Sequence, residues 1–145
     1  KSVGSVKLAD ANPNSPPLID PAFLKDERDL DTMLAGVKQA QQIMQAPSFD
    51  AHRGKALYAG ASNDDEELKE DIRNRADTIY HPVGTCKMGP DSDPNAVVDQ
   101  RLRVRGIKSL RVIDASIMPK IVSGNTNAPS IMIGEKGAHM ILEDA

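Results

Sequence analysis

The chain has 145 residues, a hydrophobic share of 39% and a formal net charge of −3, enough for one domain, or a piece of a larger one, with a modest core. With no Trp, two Phe and two Tyr, and with Lys and Arg scattered, neither a base-stacking platform nor a phosphate-tracking surface is expected, and so no nucleic-acid partner. No apolar run reaches membrane-spanning length and no signal peptide opens the chain, while a single cysteine excludes an internal disulfide and suits a reducing, cytoplasmic setting.

Lys1 opens directly in strand-like text, which leads us to expect a piece of a longer protein. Residues 3–9 alternate, with Val6 and Leu8 on one side and Ser5 and Lys7 on the other, the pattern of a short half-buried strand. A breaker cluster follows at 10–17, where Asn12-Pro13 and Pro16-Pro17 exclude helix and central strand alike. Leu18 and Ile19 then run into Asp20-Pro21, a further turn signal.

Asp26 is placed to cap the clearest helix, with Asp29 in its first turn and Pro47 closing it. Leu30, Met33, Leu34, Val37, Ala40 and Met44 form its apolar stripe, read as core rather than as a partner-binding face. The stretch 48–61 shows little periodicity and reads as a loop. A second helix is predicted from near Asn63, with Glu66 in a capping-box-like position and Leu68 and Ile72 as its narrow apolar edge. Acidic residues crowd its start and Arg73 and Arg75 its end. That order suits the helix dipole without any ligand.

Residues 80–89 (Tyr-His-Pro-Val-Gly-Thr-Cys-Lys-Met-Gly) make a tight, proline- and glycine-bearing segment around His81. Beyond it, 96–99, 102–104 and 110–114 read as short strands of a small meander, with Gly106 at a bend. A third helix is predicted from about Ala128 to Leu142, with Pro129 in its tolerant first turn. Gly134 and Gly137 each cost about 1 kcal/mol against alanine in a helix interior, so another backbone is expected close to that face. Three helices with short antiparallel strands make an α+β chain.

Several chemistries compete for the histidine. Cys86 and His81 could meet as a thiol nucleophile and its base, but no third orienting group is evident. A metal site from His81, Cys86 and His139 lacks any recognisable ligand spacing. A phosphate cradle at Gly84–Gly89 lacks the Lys-Ser/Thr ending. The pair His81 and Asn125 remains: an imidazole able to take a proton near neutral pH, and a carboxamide able to orient its source. Spacing alone still favours a structural histidine over that pair.

The segment 80–89, together with Val-Val-Asp (97–99), Leu-Arg-Val-Arg-Gly-Ile (102–107), Leu-Arg-Val-Ile-Asp-Ala-Ser-Ile-Met-Pro (110–119) and Ser-Gly-Asn-Thr-Asn-Ala-Pro (123–129), resembles the C-terminal region of the glucose-methanol-choline (GMC) oxidoreductases. The choline-dehydrogenase-like branch is the most similar. The likeness runs over nearly the whole chain, is sharpest over 77–142 and carries little over 48–76. It implies the C-terminal fragment of a two-domain flavoprotein, with residues 1 to about 110 on the substrate side and about 111–145 completing an FAD-binding domain. It also implies FAD as cofactor and a small-molecule alcohol as substrate, with His81 accepting the hydroxyl proton and Asn125 orienting the oxygen. Asp114 and Ala115 match positions beside the FAD pyrophosphate and ribityl chain, and Asn127 and Ala128 match positions at the flavin's pyrimidine edge.

The family's glycine-rich dinucleotide loop is absent from these residues. The expected partner is therefore the N-terminal FAD-binding domain of the parent chain, and the expected location of that parent is the cytoplasm or the face of a membrane. Alone, the fragment is expected to be inactive and, with uncovered interfaces, to self-associate. A non-catalytic interaction module that keeps this scaffold is the alternative.

Overall fold

A computed structural model describes residues 1–145. Three α-helices and one two-stranded antiparallel sheet make up the regular structure, so the α+β expectation holds. The chain divides into two compact units, Lys1–Asp77 and Thr78–Ala145. This is a division by compactness, whereas the boundary expected near residue 110 is one of function.

In the first unit, β1 (Ser5–Lys7) pairs with β2 (Leu18–Asp20), Val6 opposite Ile19. One expectation holds here and one fails. Leu18 and Ile19 belong to β2 and lead into the expected turn, where Ala22 N–H donates to the Asp20 carboxylate at 2.9 Å, but the segment is not half-buried: Leu8 and Ile19 are 86% and 67% exposed. Alternation places residues on two faces, but it cannot supply the layer that would cover one of them.

Helix α1 (Glu27–Met44) starts as the sequence indicates, with the Asp26 carboxylate accepting from the N–H of Arg28 at 3.0 Å. Its stripe is only partly core. Leu30 and Leu34 are buried and Val37 packs against them, whereas Met33 and Met44 are exposed. Two short 3-10 turns, Pro47–Phe49 and Tyr58–Ala61, interrupt the predicted loop. Helix α2 (Asp65–Arg75) begins two residues later than expected, because Asp64 is the better cap: one of its oxygens accepts from the N–H groups of Glu66 and Glu67. Leu68 and Ile72 close this core with Leu30, Leu34 and Ala59.

The second unit has a core of Val98, Leu102, Ile117, Met118 and Ile133. The predicted meander reduces to isolated bridges, Met88 with Val98, Val98 with Val104 and Arg103 with Arg111. The cause is local: Leu102 and Ser109 take positive φ values of 62° and 58°, and the Asp99 carboxylate accepts from the N–H groups of Arg101 and Arg103. Backbone committed to such turns cannot extend a ladder.

Helix α3 (Asn127–Glu143) packs Ile133 and Gly137 inward. The backbone approach expected at its glycines is not found. A Cβ on Gly137 would meet the side chain of Ile113 at 2.4 Å, and one on Gly134 would meet nothing within 4 Å. At the far end of α3, Arg101, Arg103 and Arg111 converge on Asp144, and Arg101 also reaches Glu143 at 2.9 Å. No helix is long and apolar enough to cross a membrane.

Candidate functional site

The segment around His81 is bent by its own residues. Tyr80 sits in the left-handed region at φ 64°, a conformation rarely kept by a bulky side chain unless its surroundings hold it. Its N–H donates to the Thr78 hydroxyl at 3.0 Å. Pro82 then disfavours helical backbone at His81. Gly84 turns the chain at φ 89°, where a Cβ would also press on the Met118 carbonyl at 3.3 Å.

Beyond the turn, the segment runs beside the stretch that carries Asp114 and Ala115. Cys86 N–H donates to the Ser116 carbonyl at 3.0 Å, and Met88 N–H to the Ile117 carbonyl at 2.7 Å. The Asp114 carboxylate accepts from Ser116 N–H at 2.7 Å, which caps the short turn Ala115–Ile117. Ile113, one residue earlier, lies against Gly137 of α3. These contacts bring the 84–88 strip, Asp114–Ala115 and α3 into one packed unit.

His81 is half-buried, and its Nδ1 lies 2.9 Å from the Thr126 hydroxyl. Thr126 is the N-cap residue of α3, between Asn125 and Asn127. No hydrogen bond joins His81 to Asn125 itself. The carboxamide is exposed one residue from the threonine, and Asn127 and Ala128 open the helix beside it. The Thr126 contact is what the sequence reading missed. A threonine before a helix reads as an ordinary cap, and nothing local says that its hydroxyl serves a residue 45 positions away.

The start of α3 has an electrostatic character of its own. Thr126 caps none of the first-turn N–H groups with its side chain, and the first turn holds no acidic residue. A helix N-terminus carries roughly half a positive elementary charge on such groups, so this one favours an electron-rich group. That donor set, with the small side chain of Ala128 in the same turn, fits one wall of a flavin site.

The other chemistries find less support. Cys86 is held by backbone contacts, and no hydrogen bond links its thiol to His81. His139 pairs with Glu143 at 2.9 Å near the far end of α3. Thirteen residues of helix separate it from Thr126, a rise of roughly 20 Å, too far for one ion to be held with His81. A surface cleft of about 670 Å³ is lined by Asp91, Asp99, residues 103–111 and Asp144. None of the predicted site residues lines it.

Comparison with known proteins places the whole arrangement in context. A family model described as GMC oxidoreductase matches residues 1–134. An alcohol dehydrogenase [acceptor] of Pseudomonas putida is 52% identical over 143 residues, covering 98% of this chain and 26% of that protein. The mitochondrial choline dehydrogenase of Homo sapiens is 48% identical over 141 residues, covering 97% and 24%. Among solved structures, an FAD-dependent oxidoreductase from Chaetomium thermophilum superposes with a TM-score of 0.88 at 27% identity, over 97% of this chain and 24% of that one. The chain thus spans about a quarter of the length of the relatives it matches.

Proposed function

Because this chain belongs to the GMC oxidoreductases and corresponds to their C-terminal region, we propose that it is the catalytic part of an FAD-dependent alcohol dehydrogenase or oxidase. The observation that carries the reading is the His81–Thr126 hydrogen bond at 2.9 Å. It ties the only histidine of the 80–89 segment to the Asn125–Ala128 stretch that opens α3.

Oxidising an alcohol requires a base for its O–H and a fixed approach of its C–H to an acceptor. His81 takes the hydroxyl proton. Asn125 has a carboxamide that cannot titrate, so it orients the substrate oxygen and leaves the proton to His81. Bound FAD supplies the hydride acceptor at flavin N5. The uncapped N–H groups at Asn127 and Ala128 face negative charge as it builds at the cofactor's edge, a preorganised stabiliser. Asp114 and Ala115 form the neighbouring wall, where a small side chain and a capped turn leave room for the cofactor's chain. Exposed Tyr80 offers an aromatic face to an alcohol that carries a quaternary ammonium group.

Residues up to about 110 then serve the substrate side, and about 111–145 complete the FAD-binding domain that the rest of the parent chain supplies. Ile131 and Met132, 60% and 57% exposed just past the first turn of α3, suit a surface covered by that domain. The test is a panel of primary alcohols, choline among them, offered to the full-length protein with an artificial electron acceptor. Alcohol-dependent reduction of the acceptor is expected. A protein that holds FAD and oxidises no alcohol contradicts the proposal.

A further inference from the structure

We propose that Thr126 is the positioning residue that holds the His81 imidazole and selects which of its nitrogens reacts, an inference that rests on the proton-accepting reading of His81. Three features of the structure support it. The hydroxyl lies 2.9 Å from Nδ1. Threonine at a helix N-cap ordinarily turns its oxygen onto an N–H of the first turn, yet the Thr126 side chain makes no such bond. Its one polar side-chain group serves His81 instead, and the helix forgoes the cap.

The third feature is that the hydroxyl has a fixed base. The Thr126 carbonyl accepts from both the N–H and the hydroxyl of Ser130, at 3.0 and 2.6 Å. Two bonds to one carbonyl hold the threonine backbone, and β-branching stiffens its side chain. Thr126 is therefore a rigid post for the imidazole, at the point where Asn125 and α3 meet.

Chemistry decides the direction of the hydrogen bond. Neutral imidazole carries one N–H, and a hydroxyl can either accept from Nδ1 or donate to it. If Thr126 donated, Nε2 would carry the hydrogen and could take no proton. If Thr126 accepts from Nδ1–H, Nε2 presents its lone pair. The alcohol proton then moves to Nε2, the O–H electron pair stays on the alcohol oxygen, and the Nδ1–H bond survives and strengthens as the ring becomes charged. Only the accepting arrangement suits both states of the base. A partner that fixes one ring nitrogen in this way sets the tautomer of the other.

The experiment uses the full-length, FAD-loaded protein and compares Thr126→Val, Thr126→Ser, His81→Ala and the Thr126→Val/His81→Ala double variant. FAD content and the anaerobic rate of flavin reduction by alcohol are measured for each. Thr126→Val should keep its FAD and reduce about tenfold more slowly, the scale set by losing a hydrogen bond to a group that becomes charged. Thr126→Ser should return to within about threefold of wild type, since it keeps the hydroxyl. In the His81→Ala background, Thr126→Val should change nothing further. A wild-type rate in Thr126→Val beside a slow His81→Ala overturns this inference and leaves the base intact. An equal slowing with and without His81, or loss of FAD from Thr126→Val, also overturns it, by showing a merely structural role. A wild-type rate in His81→Ala removes the base itself and the inference with it.

Discussion

Gly134→Ala and Gly137→Ala are the same chemical change one helical turn apart, and the structure assigns a gain in stability to the first alone. Replacing glycine by alanine in a helix interior stabilises by about 1 kcal/mol through propensity alone. At Gly134 nothing lies within 4 Å of the new methyl, so that gain stands. At Gly137 the methyl would sit 2.4, 2.9 and 3.2 Å from Cγ2, Cδ1 and Cγ1 of Ile113. Carbon atoms rest about 3.5–4.0 Å apart, so Ile113 must move by about 1 Å as a whole. It is β-branched and packed against the second core, and overpacking of this kind costs about 1–3 kcal/mol.

Propensity cancels between the two variants, so their difference isolates the clash. We expect Gly134→Ala to raise the thermal midpoint of the full-length protein and Gly137→Ala to lower it or leave it unchanged, compared at one scan rate by circular dichroism. Ile113 directly precedes Asp114 and Ala115, so Gly137→Ala should also loosen FAD. In an Ile113→Ala background all three clashing atoms are gone, and the penalty at Gly137 should vanish. Equal stabilisation by the two alanines in the wild-type background would refute the packing argument.

The remaining predictions concern charge, cofactor and thiol. The Arg103 hydrogen bond, with Arg101 nearby, holds the Asp144 carboxyl below its ordinary range; a depressed carboxylate contributes stability above its unfolded pKa of about 3.9 and loses it as pH falls through the folded value. Asp144→Asn should therefore lower the thermal midpoint at pH 7, with the gap to wild type closing below about pH 4; a gap independent of pH would mean the carboxylate charge is not what matters. The 145-residue chain by itself should retain no FAD, and visible flavin absorbance surviving gel filtration would contradict this. Blocking Cys86 with a thiol reagent should leave alcohol oxidation by the full-length protein intact, whereas its abolition would revive a thiol mechanism.

The legible parts of this chain are those decided within one turn of backbone. Asp26 caps α1, and the start and length of α3 are readable because capping, proline tolerance and apolar spacing are local properties. The illegible parts depend on what arrives from far along the chain. Val6 and Leu8 look half-buried by alternation but lie exposed, since alternation does not say whether anything packs on the face it defines. The 96–114 region reads as three strands, yet turn backbone at Leu102 and Ser109 leaves only single bridges. At the site, the fold brings His81 to Thr126, the residue next to Asn125. The hydrogen bond goes to Thr126 instead, because a threonine hydroxyl can cap its own helix or serve a distant ring, and only tertiary structure chooses.

The central claim is that the His81 imidazole takes the alcohol proton. Its most direct test is anaerobic stopped-flow reduction of the flavin by alcohol in full-length His81→Ala. A loss of about 10²–10⁴ in rate is expected, the usual contribution of a positioned general base, with FAD still bound. Reduction at the wild-type rate contradicts it.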